Sequence, residues 1–292
     1  MRIGITGATG FIAQNLIPRL HVHVHGHSCV AFSRDPSRRV AGCAETRAIG
    51  GDSLPDLRAL DAIVNLAGES IQGYWTKAKK ERIRSSRISV TRALVAALPR
   101  SEVRVLVSGS ATGLYGHRGD ELLPESAPRG VGFLADVSAE WESAALAAEQ
   151  HGVRVALVRT GFVIAARGGA MDKIRPLFRL GLGGRLGSGK QWMPWVHIDD
   201  VCGLIILLLV NDSLRGPFNA VAPHPVTNAE FTRALASALH RPAILPVPEF
   251  ALHLALGELS ALVLDSTRAV PDKAIASGYT FCHVELARAL DA

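Results

Sequence analysis

The sequence predicts an α/β fold, a doubly wound parallel sheet followed by a smaller, mostly helical C-terminal lobe. Three observations carry this. The chain opens with an apolar strand at Arg2-Ile3-Gly4-Ile5, turns through Thr6-Gly7-Ala8-Thr9-Gly10 and enters a helix at Phe11-Ile12-Ala13. Short apolar runs then recur near 28–32, 60–68, 103–107 and 153–158, with helix-length segments between several of them. That alternation suits parallel strands, which need a crossover to return to the sheet. Beyond residue 221 the strand pattern gives way to a helix over 227–239, with Thr227 as its cap, and a proline-rich remainder.

The opening turn has a chemical consequence. A strand, a glycine turn and a helix start bring unpaired N–H groups and the positive end of a helix dipole to one point, which suits phosphate. Gly7 lets the chain turn, Gly10 lets a pyrophosphate approach, and small Ala13 lets helix and strand pack. The plain alternative is a tight strand-to-helix loop. The N-terminal position and the following strand favour a Rossmann-like dinucleotide site using Thr6, Gly7, Thr9, Gly10, Phe11 and Ile12.

Composition fits that class. The 292 residues are 48% apolar and 20% charged, enough for one large or two modest domains with a substantial core. No signal peptide is expected, because a strand begins at residue 2 with no basic region before it. The longest apolar run, 201–210, is about half of what a bilayer needs and reads as a core helix. Four scattered cysteines without a CxxC point to thiols in a reducing cytoplasm. A net charge of +6 raises nucleic acid as a partner, but the basic residues are dispersed and aromatics scarce, so none is expected.

Along the chain, His21, His23, His25 and His27 fall at period two, a pattern that could hold metal. No carboxylate or cysteine joins them, and an exposed turn into the next strand is the favoured reading, with no metal. The strand over 28–32 ends in Ser33-Arg34. This position reads the adenosine ribose; an acid there would accept from the 2′-hydroxyl, whereas a serine followed by a planar guanidinium suits a 2′-phosphate. The pair favours NADP(H) over NAD(H), the alternative being a solvated Arg34. The strand over 60–68 delivers Leu66, Ala67 and Gly68 to the cofactor, followed by Glu69, a site acid or base or else a cap. A long basic helix over 75–98 follows.

The strand over 103–107 ends in Ser108-Gly109-Ser110-Ala111-Thr112-Gly113-Leu114-Tyr115-Gly116, hydroxyls that face the crevice, with Ser108 expected against the cofactor, or form an ordinary turn. A helix is expected over 137–150. Residues 167–195 hold seven glycines, six basic residues, Trp192 and Trp195. The segment wraps a small anionic or sugar-like substrate or connects two domains. Asp199 or Asp200 is the expected cap of the helix after it. The domain reading is 1–165, with 195–221 returning to it, as the cofactor unit, and 166–194 with 222–292 as the substrate lobe.

These stretches together resemble the extended short-chain dehydrogenase/reductases, and within them the atypical YfcH-like "epimerase family protein" group, also described as SulA-like. The resemblance rests on TGATGFIA at 6–13, NLAGESI at 65–71, SRISVT at 86–91, SGSATGLYG at 108–116, FLADVSAEWE at 133–142 and RTGFVIAARGGAM at 159–171. LGLGGRLGSGKQWMPWVHIDD at 180–200 and GPFNAVAPHPVTNAEF at 216–231 extend it over essentially the whole chain. It implies NADP(H) as the likelier cofactor, and a homodimer is compatible with it.

In active members of that superfamily a tyrosine and a lysine four residues on move the proton that accompanies hydride transfer. Here Leu134 and Ser138 stand at those positions. Arg87 stands where many extended members carry asparagine, either to clamp an anion or to pair with a carboxylate. Two readings follow: an oxidoreductase or epimerase with a rebuilt relay drawn from Ser110, Thr112, Tyr115 and Glu69, or a non-catalytic NADP(H)-binding sensor or partner-binding protein.

Overall fold

The computed structural model describes residues 1–23, 26–50 and 54–291. The chain begins β1 (Arg2–Thr6), α1 (Phe11–His23), β2 (Ser28–Ser33), β3 (Cys43–Ala48), β4 (Ala62–Asn65) and α2 (Lys77–Ala97). It continues through β5 (Val105–Ala111), β6 (Leu122–Leu123), α3 (Phe133–Leu146), β7 (Arg154–Thr160), β8 (Phe162–Ile164) and α4 (Met171–Arg179). Then come β9 (Trp192–Met193), β10 (Trp195–His197), α5 (Ile198–Val210), β11 (Gly216–Ala220), β12 (Val226–Thr227) and α6 (Asn228–Ala238). The chain ends through α7 (Glu249–Leu256), α8 (Ala261–Leu264), β13 (Arg268–Ala269), α9 (Asp272–Ala276) and α10 (Leu286–Asp291).

Seven strands form one sheet in the order β11-β7-β5-β4-β1-β2-β3. Every pairing in it is parallel. The order reverses between β1 and β4, and a doubly wound sheet opens its binding crevice at that reversal. Alternation along the strands sorts the core into two layers. Val105 and Val107 of β5 face the layer of Leu16, Leu20, Val201 and Ile205 from α1 and α5. Leu106 faces the opposite layer, with Leu94 and Val95 of α2 and Ala145 of α3. Among the described residues no helix is long and apolar enough to cross a membrane.

Several elements differ from the sequence expectation. β3, a half-exposed strand, extends the sheet edge beyond β2. α3 starts at Phe133, four residues early, so Leu134 is helical. The glycine-rich segment contains α4, and the cap of α5 is the His197 side chain, which accepts from the Asp199 N–H. α1 runs through His23 and the His21 ring meets the Gly42 carbonyl at 2.7 Å, while His25 lies outside the described residues. α6 has the expected Thr227 cap, in a capping box with Glu230.

Candidate functional site

The β1–α1 turn is tied together by its backbone. Gly10 N–H donates to the Gly7 carbonyl at 2.8 Å. Gly7 has φ +63°, and a Cβ there would stand 2.5 Å from the Leu66 carbonyl oxygen, so the turn packs against the end of β4 with no room for a side chain. The Thr6 hydroxyl, fully buried, donates to Asn65 Oδ1 at 2.7 Å and accepts from Ala67 N–H at 3.1 Å. Thr9 and Gly10 are exposed and Phe11 and Ile12 half-buried, leaving the start of α1 open. Gly168 and Gly169 approach the Phe11 ring so closely that a Cβ would stand 2.5 Å and 3.0 Å from it. The glycine-rich segment thus begins beside the β1–α1 turn.

Ser33 closes β2, and its hydroxyl accepts from the Asp35 N–H at 3.1 Å. Arg34 is exposed. At the end of β4, Leu66 and Ala67 are half-buried, Gly68 is exposed, and Glu69 lies among cations. Lys79 Nζ is 2.8 Å from its carboxylate and Arg82 Nε 3.8 Å. The hydrogen bond from Lys79, with the charges of Lys79, Arg82 and Arg34, holds the Glu69 carboxyl below its ordinary range. The Glu69 carboxylate thus sits among four side-chain cations in all, counting Arg87, whose proton affinity burial lowers and Glu69 raises.

Arg87 donates to the Glu69 carbonyl at 3.1 Å and lies over the Trp141 ring. Its guanidinium also presses on Gly68, where a Cβ would stand 2.9 Å from Cζ. Arg87 makes no direct carboxylate pair among the described residues; it seats the β4–α2 connection through a carbonyl and an aromatic face.

Under this surface lies a buried polar layer. Asn65 donates to Thr91 Oγ1 at 2.8 Å and to Ser108 Oγ at 3.2 Å, and the Trp141 indole donates to Thr91 at 3.0 Å. Ser108 is fully buried, so the expectation that it touches cofactor gives way to a support role beneath the strand ends.

A second layer runs from β5 to β11. Ser110 donates to Glu142 Oε1 at 2.6 Å, and Arg159 grips both Glu142 oxygens at 2.8 and 2.9 Å. Arg159 also donates to the Tyr115 hydroxyl at 2.9 Å, which donates to Asn219 Oδ1 at 2.8 Å. Tyr115 is fully buried, and burial, opposed by Arg159, raises its pKa. A phenol that is sealed in and neutral cannot reach a reacting atom, which removes Tyr115 from the acid/base candidates. Thr112 is also buried, its hydroxyl 3.5 Å from the Thr160 carbonyl.

Sequence reasoning missed Glu142 and Arg159. The one available signal was spacing: Leu134, Ser138 and Glu142 recur every four residues on α3, one face of a helix. Leu134 packs on Gly113, where a Cβ would stand 3.3 Å from Leu134 Cβ, and Ser138 is buried.

A parallel sheet with a glycine turn at its switch point defines a dinucleotide-binding protein of the Rossmann class. Comparison with known proteins specifies it. The family model described as NAD dependent epimerase/dehydratase family matches residues 3–220, and a domain of unknown function (DUF1731) matches 247–292. The chain is 38% identical over 289 residues to the Arabidopsis thaliana epimerase family protein SDR39U1 homolog, chloroplastic, covering 96% of this chain and 83% of that one. It superposes on the human epimerase family protein SDR39U1 (isoform 2) with NADPH at a TM-score of 0.88 and 30% identity, covering 100% and 98% of the two chains. A nucleoside-diphosphate sugar epimerase from Corynebacterium glutamicum matches at a TM-score of 0.80 and 32% identity, over 99% of this chain and 57% of that one. The chain belongs to the NAD dependent epimerase/dehydratase family and is an NAD(P)-binding, SDR39U1-like member of it.

Proposed function

We propose that this protein binds NADP(H) and acts as an oxidoreductase or nucleotide-sugar-epimerase-like enzyme on a small anionic or sugar-like molecule. The observation that carries the cofactor choice is the end of β2. Ser33 and exposed Arg34 stand where an NAD-selective site places an acid, and a guanidinium favours a phosphate dianion. The solved SDR39U1 structure with NADPH supports the same choice. The pyrophosphate is assigned to Gly7, Thr9 and Gly10 and the first N–H groups of α1, with Phe11 and Ile12 flanking it. Leu66, Ala67 and Gly68 line the next stretch of cofactor. In the same reading residues 1–165 with 195–221 form the cofactor unit, and 166–194 with 222–292 the substrate lobe.

Bound NADPH would supply a hydride, and the protein must then supply a proton. Leu134 has no proton to move, and Ser138, at the lysine position, carries no charge to lower a neighbour's pKa. Among the remaining candidates, Glu69 is the accessible carboxylate and, held below its ordinary range by Lys79, suits a base rather than an acid, while Ser110 and Thr112 are buried, Ser110 with its hydroxyl on Glu142. A second reading, a non-catalytic sensor or partner-binding protein, is supported by the same absence of the tyrosine and lysine.

Titration of the purified protein with NADPH and NADH, followed by nucleotide fluorescence, tests the cofactor assignment. Tighter NADPH binding that falls to the NADH level in Arg34→Ala supports it; equal affinities in the wild type overturn it. Hydride transfer to any of a broad panel of carbonyl compounds separates the enzyme from the sensor.

A further inference from the structure

Outside the cofactor crevice, one cluster has the chemistry of a metal site. Asp199 Oδ2 stands 3.2 Å from His197 Nδ1 and 3.2 Å from His283 Nε2. The ligand atoms of the three residues all lie within 4.8 Å of one another. Atoms bound to one tetrahedral ion at about 2.0–2.1 Å stand roughly 3.3–3.4 Å apart, so both histidine–carboxylate distances are close to ligand spacing.

The hydrogen bonding turns one nitrogen of each ring towards the Asp199 carboxylate. His197 Nδ1 accepts from the Asp199 N–H at 3.3 Å as the cap of α5, which places a lone pair on the nitrogen that faces Oδ2. His197 is 4% exposed, and its Nε2 has no hydrogen-bond partner among the described residues, so no outside group holds the ring in the other tautomer. The two imidazoles lie 3.8 Å apart between centroids. His283 Nε2–H donates to Asp199 Oδ2 at 3.2 Å, and a cation that displaced this proton and the Asp199 N–H contact would meet two imidazole nitrogens around one carboxylate oxygen.

The surroundings hold this set in place. Arg19 pairs with Asp199 through Oδ1, leaving Oδ2 to the histidines. The buried carboxylate of Asp200 accepts from Cys282 N–H at 2.7 Å and His283 N–H at 3.1 Å, fixing the backbone that carries His283. Outer contacts of this kind orient metal ligands. Arg19 is eight residues along α1 from Phe11, about 12 Å at the helical rise, so the cluster lies apart from the phosphate turn.

We propose that His197, Asp199 and His283 bind a borderline divalent cation of the zinc type. Two imidazoles and one carboxylate suit Zn2+ or Co2+ rather than Mg2+ or Ca2+, which take all-oxygen sets. The ion joins the part of the chain matched by the epimerase model, which holds His197 and Asp199, to the C-terminal segment of unknown function, which holds His283. Its role is to clamp that segment onto the start of α5.

The test uses the full chain carrying His21→Gln, His23→Gln, His25→Gln and His27→Gln, which removes the histidine run as a competing chelator. Titration with Co2+ is expected to give one bound equivalent with visible d–d absorption, displaced by Zn2+, and Zn2+ is expected to raise the melting temperature. His283→Gln in the same background abolishes both effects while the metal-free protein melts as before. Asp199→Asn serves as the second variant and is expected to lose the absorption as well. No bound cobalt in the background protein overturns the proposal, as does cobalt binding that survives both substitutions.

Discussion

Arg159 Nε and Nη2 close on the two carboxylate oxygens of Glu142 at 2.8 and 2.9 Å, joining β7 to α3 through a buried, two-point ion pair. Such a pair contributes little net stability over apolar side chains, yet removing one partner strands a buried charge. Glu142→Ala is therefore expected to destabilise the fold by about 3–5 kcal/mol, read by urea unfolding. An unfolding midpoint within error of wild type would show that water reaches Arg159.

Tyr115 is sealed into the same network. Tyr115→Phe removes a hydroxyl from between Arg159 and Asn219 and is expected to lower stability by about 1–3 kcal/mol. Nucleotide affinity stays unchanged, because the phenol does not reach the crevice. A large loss of NADPH binding in a folded Tyr115→Phe protein would contradict the burial argument.

Arg34 is the residue on which the proposed preference for NADP(H) rests. Arg34→Ala is expected to weaken NADPH by about 10- to 100-fold, the effect of about 1.5–3 kcal/mol from charge-assisted hydrogen bonds, and to leave NADH within about twofold. Parallel titrations of both nucleotides measure it.

Gly7 is the backbone test. Its φ of +63° and the 2.5 Å approach of Leu66 O leave no place for a methyl group. Gly7→Ala is expected to cost at least about 1–2 kcal/mol and to weaken both nucleotides alike, unlike Arg34→Ala. Calorimetric melting and the same titrations check it.

Glu230 provides a pH signature. Hydrogen bonds from the Thr227 N–H and hydroxyl hold its carboxyl below the ordinary value of 4.5. A depressed carboxyl stabilises the folded state above its unfolded pKa, and that increment fades as pH falls through the lower folded value. Thr227→Ala is expected to lower stability by about 1 kcal/mol at neutral pH, with the gap from wild type narrowing in acid. Unfolding curves at neutral and acidic pH measure the gap.

The legible parts of this protein were those written over a few consecutive residues. The glycine turn, the α6 cap and the apolar strands are local matters of backbone freedom, side-chain reach and periodicity. The illegible parts depend on packing. Ser108 and Tyr115 look like crevice hydroxyls because polar groups at strand ends so often are. The packing of Asn65, Thr91 and Arg159 around them places both in the interior. Asp199 and Asp200 read as helix caps, but Asp200 holds the tail at 282–283 and His197 caps α5.

By itself, then, the sequence determined the class of fold, the glycine turn after β1 and the Ser33-Arg34 pair at the end of β2, since each is set by neighbours along the chain. It also determined the loss of the tyrosine and lysine, which is a matter of identity at two positions. Tertiary structure alone decided that Glu142 finds Arg159, that Lys79 finds Glu69, and that His283 reaches His197 and Asp199. Those contacts span 10 to 86 positions along the chain, and no local pattern encodes them, because they exist only once helices have packed on the sheet and the C-terminal segment has closed over α5.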